Sequence, residues 1–90
     1  MRTTKELLQI MLDNPQIFNF GLCHWNLMLF GKGIITEDEY NITREYIRDN
    51  RPQMFQRNYS YKNRDNTYYW NADNIKPRIK WLKYHINKLK

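Results

Sequence analysis

A chain of 90 residues, 41% hydrophobic and 27% charged, has room for one small globular domain whose core is near the lower limit for folding alone. Its 15 lysines and arginines against 9 aspartates and glutamates, a net charge of +6, bring anionic partners into view. One cysteine excludes an internal disulfide framework, no apolar run approaches bilayer length, and no signal peptide is evident, so a cytoplasmic protein without a membrane partner is expected.

Thr3-Thr4-Lys5-Glu6 has the spacing of a capping box, in which the threonine hydroxyl and the glutamate carboxylate satisfy the free N–H groups of a helix start. Leu7, Leu8, Ile10, Met11 and Leu12 follow, and Asn14-Pro15 ends this first helix. A second helix is expected from Ile17 or Phe20 to Phe30. Its apolar residues (Leu22, Trp25, Leu27, Met28, Leu29 and Phe30) fall all round the wheel, as in a central buried helix. Gly31 and Gly33 supply its C-cap and turn. Thr36-Glu37-Asp38-Glu39 forms a second capping box, opening a third helix with Tyr40, Thr43, Tyr46 and Ile47 directed inward.

Residues 53–71 change character. Phe55, Arg57, Tyr59 and Tyr61 alternate with Met54, Gln56, Asn58 and Ser60, Lys62–Asn66 resembles a turn, and Thr67-Tyr68-Tyr69-Trp70 follows, so a short β-hairpin or an extended aromatic loop fits. Pro77 suits the first residue of a last helix, expected from about residue 77 to 89. At 100° per residue, Ile79, Leu82, Ile86 and Leu89 make its inner stripe, which places Lys80, Trp81, Tyr84 and Lys88 on the outer face and Arg78, Lys83 and His85 at the flanks. The expected fold is therefore mainly α, a single domain over 1–90: three N-terminal helices, an aromatic hairpin or loop, and a basic C-terminal helix.

The positive charge is not evenly spread. Residues 1–50 carry 5 basic and 7 acidic side chains, whereas residues 51–90 carry 10 basic and 2 acidic ones. Cations interleaved with aromatic rings suit nucleic acid or a nucleotide, since rings stack on bases and lysines neutralise phosphate. The candidate ligand-binding residues are Arg57, Tyr59, Tyr61, Arg64, Tyr69, Trp70, Arg78, Lys80, Trp81, Lys83 and Lys88. Two other readings stay open: Tyr68, Tyr69 and Trp70 as the lid of a small core with Trp81 beneath them, or the same surface as an oligomer or host-protein interface.

Other chemistry finds little support in the residues. Cys23, His24 and His85 are the only soft ligands, and Cys23 and His24, adjacent on a helix, point different ways, so neither a zinc site nor a nucleophile–base pair is expected. Helix capping accounts for Glu37, Asp38 and Glu39 without an acid/base role. Gly31-Lys32-Gly33 is too short to cradle a phosphate. No cofactor and no catalysis are expected. The helix pair around Gly31–Gly33 also permits a DNA-reading helix-turn-helix, against which the acidic start of the third helix argues.

Gly21-Leu22-Cys23-His24-Trp25, Gly33-Ile34 ahead of Thr36-Glu37-Asp38-Glu39, and Tyr68-Tyr69-Trp70 followed by Pro77-Arg78-Ile79-Lys80-Trp81-Leu82 carry a resemblance over residues 20–88. The chain resembles a family of small, largely uncharacterised phage-encoded accessory proteins. That resemblance implies a non-enzymatic protein of the infected bacterial cytoplasm, which blocks a host defence or regulatory factor or sequesters a nucleotide signal. Asn, Lys, Ile and Tyr supply 35 of the 90 residues while valine is absent, which agrees with an AT-rich genome. The expected function is binding of nucleic acid or a nucleotide signal through the basic half. The alternatives are inhibition of an acidic host protein and, more weakly, helix-turn-helix regulation; self-association is plausible for so small a core.

Overall fold

A computed structural model describes residues 1–18, 21–50 and 75–89. Over these residues the protein is mainly helical, with four α-helices and no strand: α1 (Thr4–Asp13), α2 (Leu22–Gly31), α3 (Glu37–Asn50) and α4 (Ile75–Lys88). The expected hairpin or loop at 53–71 lies outside the described residues.

Local signals set the first three boundaries. The Thr3 hydroxyl accepts from the Glu6 N–H at 3.2 Å while the Glu6 carboxylate accepts from the Thr3 N–H at 2.8 Å, the reciprocal bonds of a capping box. α1 ends at Asn14, whose side-chain amide donates to the Ile10 carbonyl at 2.7 Å. A single 3₁₀ turn, Pro15–Ile17, stands where the second helix was expected to begin. That turn anchors Trp25: its indole N–H donates to the Asn14 carbonyl at 3.0 Å, and Phe18 meets the ring edge-on at 5.3 Å. Trp25 thus buries its whole body without orphaning its one donor.

α2 closes in a Schellman motif. The Ile34 N–H reaches back to the Leu29 carbonyl and the Gly33 N–H to the Phe30 carbonyl, both at 3.0 Å, with Gly33 at φ +75°. The second capping box then opens α3: the Glu39 N–H donates to the Thr36 hydroxyl at 3.2 Å, and the Thr36 N–H to the Glu39 carboxylate at 2.9 Å.

α2 packs along α3, and α1 packs against both α3 and α4. Leu7, Leu8 and Met11 of α1 meet Leu22, Trp25 and Leu29 of α2, Ile35 of the turn, Ile47 of α3, and Trp81 and Leu82 of α4 in one core. Burying such side chains contributes about 1.5–3 kcal/mol each. Polar groups reach into this core where they find backbone partners. Asn26 donates to the Tyr40 carbonyl at 3.0 Å, and Thr43 to the Glu39 carbonyl at 3.0 Å.

Two expected helix faces differ from those observed. Leu27 of α2 is 41% exposed, so this helix is not buried on every side. In α3 the fully buried residues are Glu39, Thr43 and Ile47, at four-residue intervals, while Tyr40 and Tyr46 lie at the edges of the contact and are half-buried. No helix among the described residues is long and apolar enough to cross a membrane.

Candidate binding face

α4 begins two residues before Pro77, which its first turn tolerates because the N–H groups there need no intrahelical partner. The side it turns inward departs from the expected one. Arg78, Trp81, Leu82 and His85 are the buried residues, whereas Ile79, Ile86 and Leu89 are only half-buried against the core. The inner face is thus rotated by roughly 70° from the aliphatic stripe, at 100° per residue.

The cause is an aromatic cluster between α4 and α3. His85 lies 4.2 Å from Trp81, ring centroid to centroid, and Tyr46 of α3 meets Trp81 at 6.1 Å and His85 at 5.4 Å, both edge-on. The Tyr46 hydroxyl and His85 Nδ1 share a hydrogen bond of 2.7 Å, and the Trp81 indole N–H donates to the Asn50 carbonyl at 3.2 Å. Two rings that hydrogen-bond at one end and bury a large area outweigh two aliphatic side chains in deciding which side faces in. Burial pushes the His85 imidazolium pKa down, with Lys88 adding repulsion, and burial pushes the Tyr46 phenol up.

This rotation removes two residues from the expected binding surface. Trp81 is 7% exposed and belongs to the core, not to the outer face. Arg78, expected to neutralise phosphate, is 3% exposed; its guanidinium lies against Gly21, with Nε 3.5 Å from the point that a Cβ there would occupy. Arg57, Tyr59, Tyr61, Arg64, Tyr69 and Trp70 lie outside the described residues. Lys80, Lys83 and Lys88 remain on the exposed side of α4.

Sequence reasoning placed Tyr84 on that face without counting it among the candidate ligand-binding residues, and passed over Lys76. Lys76 and Tyr84 are both exposed, and with Lys80 and Lys88 they fall at positions 76, 80, 84 and 88. A four-residue interval is the ridge spacing of an α-helix, so these side chains follow one row about 18 Å long. Tyr84, 62% exposed, has Lys88 Nζ over its ring at 5.9 Å from the centroid, and it forms a T-shaped pair with His85 at 5.0 Å between ring centroids. The helix carries five lysines and arginines and no acidic residue. The interval of four was legible in the sequence; what hid it was the assignment of Trp81 to the same face.

The acidic start of α3 has a different occupation. Arg2 Nε and Nη2 donate to the two oxygens of Glu39 at 3.0 and 2.8 Å, the Arg2 N–H adds a third bond at 3.0 Å, and the Thr36 N–H a fourth. The Arg2 guanidinium, followed by the Thr36 and Arg2 backbone N–H groups, holds the Glu39 carboxyl well below the usual carboxylate range. Glu39 is committed to joining the chain's start to α3. No group of three His, Cys, Asp or Glu side chains that could hold a metal ion occurs among the described residues. Comparison of the chain with protein-family models, curated proteins and solved structures returns no match.

Proposed function

We propose that the protein acts by binding rather than by catalysis, offering the outer face of α4 to a polyanionic partner, nucleic acid or a nucleotide signal. The carrying observation is the row Lys76–Lys80–Tyr84–Lys88 with Lys83 beside it. All five are exposed on a helix whose own sequence contains no acidic residue, while the opposite side of that helix is held in the core by Trp81, Leu82 and His85. A rigid helix presenting several cations releases condensed counterions when it meets phosphates, which drives association. The aromatic residues of 53–71, expected from the sequence to take part in binding, lie outside the described residues. The resemblance to phage accessory proteins, with its bacterial cytoplasmic setting and its action against a host process, belongs to this proposal.

The test is binding of labelled oligonucleotides across a salt series. Binding should weaken steeply as salt rises, with a log–log slope of about −0.7 to −0.9 per phosphate neutralised. Lys80→Glu with Lys83→Glu should abolish it without lowering thermal stability, since both side chains are in solvent. If no oligonucleotide or nucleotide binds even at low salt, the reading is lost.

A further inference from the structure

We infer that the partner of α4 is a single-stranded stretch of nucleic acid, with a base stacked on Tyr84 and the flanking phosphates met by Lys80 and Lys88. This rests on the binding reading above and narrows it. Tyr84 stands in the row with a lysine one turn before it and another one turn after it, each about 6 Å away along the axis. Its ring is the one large aromatic surface on the exposed side of this helix, at 62% exposure, and it is oriented by the T-shaped contact with His85 and by Lys88 at 5.9 Å.

Three partner classes differ in what they could use of this arrangement. A free nucleotide presents its charge at one point and engages one or two of cations spread over about 18 Å. A duplex keeps its base faces stacked inside, so its phosphates can use the lysines while Tyr84 has nothing to stack on. A single strand offers both a line of phosphates and open base faces, the combination that aromatic and cationic side chains jointly recognise. The row alternates these two functions within one helical ridge, and only the single strand uses every member of it.

The experiment is fluorescence anisotropy of the full chain with a labelled mixed-sequence DNA strand of about 12 nucleotides, its RNA counterpart, the matching duplex and a fluorescent ATP analogue. A single strand, DNA or RNA, should bind more tightly than the duplex or the nucleotide. Tyr84→Ala should weaken single-strand binding by about 5- to 100-fold and leave duplex binding unchanged, whereas Tyr84→Phe should retain it. Lys80→Gln should reduce the salt slope for the single strand by about 0.7. Duplex or nucleotide binding as tight as single-strand binding, or an unchanged single-strand affinity in Tyr84→Ala, overturns this inference and leaves the broader reading standing. Failure of every probe at low salt overturns both.

Discussion

Gly31 and Gly33 sit two residues apart at the end of α2 and differ in what they require. Gly33 occupies φ +75°, where a Cβ is strained whatever the space around it. Gly31 is the last residue of the helix, and a Cβ there would meet nothing within 4 Å. Gly33→Ala should therefore destabilise the protein by about 1–2 kcal/mol, and Gly31→Ala should stabilise it by about 0.5–1 kcal/mol. Chemical denaturation of the two variants measures both, and effects of the same sign would refute the Schellman assignment. The turn at Gly33 was legible because its signal is local, whereas Gly31, expected to help cap the helix, is its last residue and Lys32 is the cap. Glu39 was legible only in part: its bond to Thr36 follows from a three-residue spacing, but its partner Arg2 is 37 residues away.

At the scale of the element, α4 shows where a helical wheel stops being informative. Aliphatic periodicity favoured Ile79, Leu82, Ile86 and Leu89, and Leu82 is indeed fully buried. What rotates the helix is Tyr46, on α3 and 39 positions from the histidine that it bonds. No periodicity within α4 contains that contact. Its consequence is a pH dependence of stability. The unfolded imidazole takes up a proton near 6.5 and the buried one only at lower pH, so the unfolded chain binds more protons in between. Among the described residues, the groups facing His85 are Tyr46 from α3 and Trp81, Tyr84 and Lys88 from α4, with no carboxylate in these contacts to retain an added proton. Stability should be full above about pH 6.5 and decline below it. In His85→Gln that segment of a plot of Tm against pH should be flat; an undiminished slope would place its origin elsewhere.

Among the described residues of the molecule, α3 and α4 carry opposite charge. α3 carries five acidic residues against two basic ones, with Glu37, Asp38, Glu45 and Asp49 exposed, whereas α4 is uniformly basic. This division was readable as a contrast between the two halves of the chain, but its assignment to opposing helices required the fold. The two capping-box carboxylates add a global acid response. Glu6 and Glu39 are both shifted below their ordinary value near 4.5. On falling pH the unfolded chain protonates at these positions first, so stability is retained above about pH 4.5 and lost below it. Glu39→Gln should lessen that loss, and thermal melts from pH 2 to pH 6 measure it.

The bridge from Arg2 to Glu39 also bears on how the protein can be handled. Chain ends usually tolerate trimming, since they hold little of the structure. Here, removing two residues takes away three of the four donors on a carboxylate that is almost wholly screened from solvent, and it also frees the carbonyl of Ile34 from the same guanidinium. A protease or exopeptidase that removes only Met1 and Arg2 should lower the melting temperature at neutral pH. Tag removal that also trims Met1 and Arg2 risks the same damage.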